Sequence, residues 1–371
     1  MRVALVYDRV NKWGGAERVL LALHEMFPEA PLYTAVYNSE STPWAKVFPK
    51  IIPSFLQKFP FAKTRHDLYA PLMPLAFESF DFSEYDIVIS ITSEAAKGII
   101  TKPSTIHICY CLTPTRYLWS GYKDYFTSAR RPLAAPIISY LKKWDLVAAQ
   151  RPDVMVGISR AVVKRIKKYY GRSAQLVYPP VELKVPPVRQ AQGKQVSKGE
   201  YFLVVSRLVP YKRVDLVIDV FNRLSARGGS SSGRKLPLVI VGTGSEEGSL
   251  RRQSRSKNTV FVGQVDDAEL ASYYQGCKAL IFPQEEDFGI TAVEAQAFGK
   301  PVIAYRGGGA LDTVVDGNTG IFFDRQTPES LASAIKKFGN LSFDKKLVEE
   351  NARKFSKEKF FEEFARLVSR V

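Results

Sequence analysis

Short, nearly unbroken apolar runs recur along this chain, and most of them stop at a glycine, a proline or a charged loop. Arg2 to Tyr7, Ile87 to Ile91, Thr105 to Cys109, Val154 to Ile158 and Leu176 to Tyr178 are the runs of the first half. Tyr201 to Ser206, Leu238 to Val241, Val260 to Gly263, Ala279 to Phe282, Val302 to Tyr305 and Gly320 to Phe323 are those of the second. Runs of four to six residues without polar alternation read as strands buried on both faces, as in parallel sheets covered by helices. Between them, apolar residues return at helical spacing: Val19, Leu20, Leu23 and Met26, then Val214, Val217, Ile218 and Phe221, then Ile290, Val293 and Ala297. Ser159 reads as the N-cap of a helix carrying Lys164, Arg165, Lys167 and Lys168, and Gly171 as its end. Strand alternating with helix predicts an α/β chain with parallel sheets.

The apolar pattern breaks once for long. Pro179-Pro180, Pro186-Pro187 and the polar run Gln190 to Gly199 read as a connection between domains, placing one domain at 1–185 and a second at 200–354, with a last helical segment at 355–371. A length of 371 residues allows two domains, and 46% apolar with 12% aromatic residues can fill two cores. The Gly- and Ser-rich stretch from Ala226 to Lys235 reads as a surface loop. No stretch approaches the roughly 18 to 20 apolar residues of a membrane span, and the opening is too short and soon too polar for a signal peptide, so a cytoplasmic protein is expected. Cys109, Cys111 and Cys277 offer neither a disulfide framework nor a metal site and are expected as free thiols.

Charge adds a partner to this picture. The net charge is +16, and +11 of it falls before residue 190, from 26 basic and 15 acidic side chains. An excess of that size calls for a polyanion: a phosphorylated substrate, an anionic lipid or a nucleic acid. No nucleic-acid motif accompanies it, and none is expected to bind. The basic helix after Ser159 is read as a solvated face or as a membrane or acceptor contact. From Pro43 to Phe82, Trp44, Phe48, Ile51, Ile52, Phe55, Leu56, Phe59 and Phe61 are interleaved with Lys46, Lys50, Lys58, Lys63 and Arg65. Short amphipathic helices are expected there, either docking on an anionic bilayer or forming the core of an acceptor-side subdomain.

The chemistry concentrates in Pro283 to Lys300. The strand Ala279 to Phe282 runs into an acidic loop, then Gly289, then a helix, placing Glu286 in the loop and Glu294 about one turn into the helix. Ligands of open α/β sheets bind beyond the carboxyl ends of strands, so both carboxylates are expected at such a crevice. The free N–H groups near Gly289, Ile290 and Thr291 would form an anion site between two acceptors of hydroxyl protons. A molecule with hydroxyls at both ends and phosphate in the middle fits that order. Upstream, Arg207 and Lys212 crowd the start of a helix against its dipole, a conflict that a bound diphosphate would relieve. Gly14-Gly15 lets backbone approach a ligand after the first strand, without forming G-x-G-x-x-G. Asp266-Asp267 is not a D-x-D motif, and no metal is expected.

Glu286-x7-Glu294, with Phe288-Gly289 between, resembles the E-x7-E signature of the retaining glycosyltransferases of family 4, also called group 1. Gly14-Gly15-Ala16-Glu17-Arg18, Arg207-x4-Lys212 and the turn at Gly263 to Val265 are similar to that family's glycine loop, phosphate-binding pair and base-binding turn. The resemblance covers nearly the whole chain. It implies the GT-B fold, two facing Rossmann-like domains with a C-terminal helix crossing back to the first, and no cofactor beyond a nucleotide-sugar co-substrate. The diphosphate would be held by Arg207, Lys212 and the helix start after Gly289, the ribose by Glu294, the sugar hydroxyls by Glu286 and the base near Gly263 and Val265. It also implies retention by front-face attack.

Thr105 to Trp119 resembles the Y-C-H-T-P-x-R-Y-x-W segment of a mannosyltransferase-like branch, pointing to GDP-mannose ahead of UDP sugars, although Leu112 stands where that branch has histidine. His107 need not substitute and reads as core. Arg116 is the expected contact for an anionic acceptor. The acceptor would be a glycan or a lipid-linked intermediate of surface polysaccharide synthesis, met at the inner face of the membrane. Two rivals are a glycosidase using Glu286 and Glu294, which needs no phosphate site, and a non-catalytic nucleotide- or membrane-binding protein in which Leu112 marks lost activity.

Overall fold

The computed structural model describes residues 1–122, 131–183, 201–226 and 237–371. The expected interdomain run 190–199 and most of the loop 226–235 lie outside them. The chain divides into two compact units, Met1–Pro180 with Phe360–Val371, and Val181–Lys359.

The first unit contains β1 (Val3–Tyr7), α1 (Gly15–Met26), β2 (Leu32–Thr34), β3 (Ile51–Pro53), α2 (Met73–Glu78), β4 (Ile87–Thr92), β5 (Ile106–Cys111), α3 (Arg131–Ala148), β6 (Val154–Gly157), α4 (Arg160–Tyr170) and β7 (Gln175–Leu176). Its seven strands pair in the order β3-β2-β1-β4-β5-β6-β7, every pair parallel. Such strands are covered on both faces, which is why β1 and β4 are buried from end to end. Ser159 caps α4 by accepting from Val162 N at 3.1 Å, and Gly171 ends it in the left-handed region at φ 69°. The segment 43–82 forms 3-10 turns at Pro43–Val47, Phe55–Lys58 and His66–Leu72, besides β3 and α2. Leu56, Met73, Ala76, Phe77 and Phe82 from it join Ala4, Val6 and Val88 in one core. The last residues return to this unit, where Phe360 packs edge-on against Tyr110 at 5.9 Å.

The second unit contains β8 (Phe202–Val205), α5 (Val214–Ala226), β9 (Leu238–Val241), α6 (Glu247–Gln253), β10 (Thr259–Gly263), α7 (Asp267–Gly276), β11 (Ala279–Phe282), α8 (Ile290–Ala297), β12 (Val302–Tyr305), α9 (Ala310–Thr313), β13 (Gly320–Phe323), α10 (Pro328–Phe338) and α11 (Lys345–Arg353). The helix α12 (Lys357–Val368) leads out of it. Six parallel strands pair in the order β10-β9-β8-β11-β12-β13. Successive side chains point to opposite faces, so each strand feeds two cores. Phe202, Val204, Ile240, Ile281, Ile303 and Ile321 pack with α5 and α10, and Leu203, Val239, Leu280, Phe282 and Val302 with α7 and α8.

In both sheets the chain starts in the middle, moves outward, then returns to the other side of the first strand. The order reverses between β1 and β4 in the first unit and between β8 and β11 in the second. At such a point neighbouring loops part and leave a crevice at the carboxyl ends. Among the described residues no helix is long and apolar enough to cross a membrane.

Candidate active site

In the second unit the reversal sets the loop after β8 beside the loop after β11. Main-chain contacts fix both. A Cβ on Gly242 would overlap the Ser206 carbonyl oxygen, and one on Gly244 the Leu208 carbonyl oxygen. With those glycines bare, Leu208 N donates to Thr243 O at 2.9 Å and Glu246 N to Leu208 O at 2.9 Å. The loop then turns through Pro210–Lys212, and Arg213 takes a left-handed φ of 53° before α5 begins. That conformation costs a non-glycine residue about 1–2 kcal/mol, and it sits at a functional candidate, where strain of this kind collects.

The loop after β11 is held from behind by the glycines that follow β12. A Cβ on Gly308 would overlap the Glu286 carbonyl oxygen, one on Gly309 would overlap Phe288 main chain, and Gly309 N donates to Glu286 O at 2.8 Å. Gly289, at φ 93°, makes the turn into α8, and Ala292 N closes onto its carbonyl at 3.0 Å. Only glycine enters this conformation without strain.

Between the two loops the charged side chains meet. Lys212 Nζ pairs with Glu286 Oε1, the two side chains being 12% and 22% exposed. Gln284 Nε2 donates to the same oxygen at 2.9 Å. Tyr211 organises the cations: its hydroxyl accepts from Arg207 at 2.6 Å, and Lys212 lies 5.2 Å from its ring centroid. Arg207 itself is exposed. Glu294, one turn into α8, accepts from the Tyr274 hydroxyl at 2.8 Å, and that ring stacks on Phe298 at 5.6 Å.

Not every expected residue faces this meeting point. Phe288 is buried, 3% exposed, with its ring edge-on to Phe355 at 5.5 Å, so it wedges the loop from inside. Ile290 and Thr291 open α8, both half-buried. Gly263, at φ 87°, ends the edge strand β10 and Val265 follows it, two strands from β8, and Gly263 O accepts from Gly242 N at 2.7 Å. Asp266 caps α7 through Glu269 N at 2.8 Å. Gln284, Tyr211 and Tyr274 carry no motif; only their neighbours do.

Gly14, Gly15 and Arg116 belong to the first unit. Gly14 precedes α1 with an extended φ of −179°, which any residue adopts; what its missing side chain leaves room for is Glu17, whose Oε2 would stand 3.1 Å from a Cβ there. Glu17 is buried and accepts from the Tyr7 hydroxyl at 2.6 Å. At that unit's reversal, Asp8 accepts from the backbone N of Ser93, Glu94, Ala95 and Ala96 at 2.6 to 3.0 Å. Arg9 pairs with Glu94, and burial pushes the Glu94 carboxyl up although Arg9 opposes it. Arg116 lies half-buried in the turn Thr115–Trp119, where Trp119 N donates to its carbonyl at 3.2 Å.

The turn around Arg116 is anchored by a buried ion pair. Lys97 Nζ is 2.5 Å from Asp145 Oδ1, and Asp145 also accepts from Thr115 Oγ1 at 3.0 Å and Trp119 Nε1 at 2.7 Å. Burial lowers the Lys97 pKa, but Asp145 outweighs it and the net shift is upward. His107 is fully buried, as its strand position suggested, with a pKa lowered to about 3 by burial and by Arg172 and Arg151. Cys109, Cys111 and Cys277 are buried thiols.

Residues 188–355 match the family model for glycosyl transferases group 1. A glycogen synthase of Pseudomonas paraeruginosa is 34% identical over 155 residues, 40% of this chain and 28% of that protein. A glycogen synthase of Xanthomonas euvesicatoria is 32% identical over 157 residues, 40% of this chain and 29% of that protein. The chain thus spans less than a third of the length of these relatives. Among solved structures, Anabaena Alr3699/HepE in complex with UDP aligns over 100% of both chains at TM-score 0.73 and 18% identity. The lipopolysaccharide outer core galactosyltransferase WaaB aligns over 100% of both at TM-score 0.67 and 21% identity. Sucrose-phosphate synthase from Thermosynechococcus elongatus aligns over 100% of this chain and 99% of its own at TM-score 0.74 and 17% identity. The fold is that of these proteins, GT-B, with two Rossmann-like domains.

Proposed function

We propose that this chain is a retaining, metal-independent glycosyltransferase that moves a hexose from a nucleotide-diphosphate sugar to a saccharide or lipid-linked acceptor. The observation that carries the reading is the meeting of Lys212 with Glu286, beside Arg207, at the carboxyl ends of β8 and β11 in the segment matching group 1. Cleaving a sugar from a diphosphate builds negative charge on the leaving group. Arg207 and Lys212 are placed on one loop to offset it, a form of electrostatic stabilisation that needs no metal ion. The N–H groups of Ile290 and Thr291 at the start of α8 add a second anion site. Glu286, relieved of Lys212 by the diphosphate, accepts sugar hydroxyls, and Glu294 accepts those of the ribose. Retention by front-face attack follows from the family resemblance.

The donor is read as a hexose nucleotide. The neighbour solved with UDP and the glycogen synthase relatives favour UDP-glucose, and the Tyr110 to Trp119 segment favours GDP-mannose. The acceptor is assigned to the first unit through Arg116, and a cytoplasmic location at an anionic membrane face fits that unit's surface. Phe61, Leu68 and Val47 are 75%, 54% and 52% exposed among Lys46, Lys58, Lys63 and Arg65. Phe61 also holds a left-handed φ of 57°.

Thermal stabilisation by GDP, UDP, ADP and TDP, each with and without sugar, tests the reading. One nucleotide should raise the melting temperature, the shift should vanish in Glu294→Ala, and transfer with that donor should survive EDTA. No shift with any nucleotide would refute the transferase reading. Sedimentation with anionic liposomes at low salt tests the membrane part, which is lost if the protein stays in the supernatant.

A further inference from the structure

Gln284 enters no motif, yet it is a buried group in direct contact with Glu286. It is 1% exposed, and its amide nitrogen donates to Glu286 Oε1, the oxygen that also takes Lys212. A carboxylate only accepts, so the nitrogen must face Glu286 and the amide oxygen must point elsewhere. That oxygen is buried with no hydrogen-bond partner. Buried acceptors without a donor are rare in folded proteins and call for a specific explanation, a ligand included. In the paired state of Lys212 and Glu286 no donor among the described residues reaches the amide oxygen. Any diphosphate that draws Lys212 away opens the ion pair and leaves Gln284 as the remaining described donor on that carboxylate oxygen.

We propose that Gln284 is a second reader of the donor sugar: its amide nitrogen keeps Glu286 in place when Lys212 turns to the diphosphate, and its oxygen accepts a hydrogen bond from a hexose hydroxyl. The amide and the carboxylate together then present two acceptors to adjacent hydroxyls of the hexose, a ring that a bare nucleoside diphosphate lacks. This rests on the reading of Glu286 as the carboxylate that meets the sugar. It predicts a separation between nucleotide affinity and sugar-nucleotide affinity that a purely structural glutamine would not give.

The test is calorimetric titration of the full chain with UDP, UDP-glucose, GDP and GDP-mannose, for wild type and Gln284→Met, which keeps the length of the side chain and removes both polar atoms. The expected result is a bare nucleotide bound within about twofold of wild type, and the matching sugar nucleotide weakened about five- to tenfold. Gln284→Glu, which sets a second carboxylate against Glu286, should weaken the sugar nucleotide further. Matching melting temperatures of the variants establish that they fold. Parallel loss of nucleotide and sugar nucleotide, or no loss of either, overturns the proposal. Wild-type protein that binds none of the four ligands, nor ADP or TDP, overturns the transferase reading as well, a result distinct from lost sugar discrimination in a protein that still binds nucleotide.

Discussion

Replacing Lys97 by methionine should expose how much the acceptor-side turn depends on one buried charge. The side chains of Lys97 and Asp145 are 2% and 1% exposed, and they meet at 2.5 Å. Removing one partner of such a pair typically costs about 3–5 kcal/mol, because the other charge stays buried. In Lys97→Met the carboxylate of Asp145 still accepts from Thr115 and Trp119, so the expected loss lies near the lower end, about 3 kcal/mol. Asp145→Leu strands the ammonium as well as the Thr115 hydroxyl and the Trp119 N–H, and about 4 kcal/mol is expected. The double variant leaves no buried charge and should cost only about 2–3 kcal/mol, much less than the sum of the singles. The assay follows from the sequence: Trp13, Trp44, Trp119 and Trp144 are all four tryptophans of the chain, and all lie in the first unit. Urea unfolding read by tryptophan fluorescence therefore reports that unit alone, even where the chain as a whole is not two-state. Singles within about 1 kcal/mol of wild type, or a double variant equal to their sum, would refute the account.

Three further outcomes are expected. The His107 pKa falls from 6.5 to about 3 in the folded state, its Nδ1 being buried without a partner, so the unfolded chain takes up the proton first. Stability is complete above about pH 6.5 and declines as the pH falls towards 3, by about 2 kcal/mol at pH 5, and His107→Gln should flatten that part of a urea-midpoint against pH curve. Gly309→Ala forces Phe288 main chain to move and should cost more than about 2 kcal/mol and abolish nucleotide-induced thermal shifts, whereas Gly317→Ala, at φ 81° with open space around it, should cost about 1 kcal/mol and keep them. Tyr274→Phe removes a hydroxyl donor from Glu294 and should change nucleotide affinity about three- to tenfold, measured by calorimetry, with the fold intact.

The parts of this protein that the sequence displays are those decided by local pattern. Ala279 to Phe282 and Val302 to Tyr305 lie where their apolar runs put them, since a strand covered on both faces leaves no polar position to confuse the reading. Ser159 and Gly171 end α4 through the chemistry their side chains, or lack of one, dictate. The segment 43–82 was harder: its prolines break it into 3-10 turns, and β3, only three residues with a proline at its end, resembles no strand until β2 is beside it. Much of its apolar character serves the core, while Phe61 and Val47 remain outside. The helix α3 contains Pro136, a residue that argues against a helix in the sequence. Glu286, Arg207 and Lys212 were legible through their motif. Gln284 and Tyr211 were not, because their roles depend on which loops the strand order sets side by side, and that is a property of topology rather than of spacing.

The glycines at 308 and 309 have a bearing on how such a site can change over generations. They bring one stretch of main chain directly against another, so a side chain at either position would run into the backbone of Glu286 or Phe288. A library that randomised those positions would recover mostly glycine. Variation that alters which sugar is accepted must enter from the front, through positions such as Gln284 and Glu285 or the turn at Tyr211. A search for altered donor preference can therefore be confined to a handful of codons, with the rear wall left untouched.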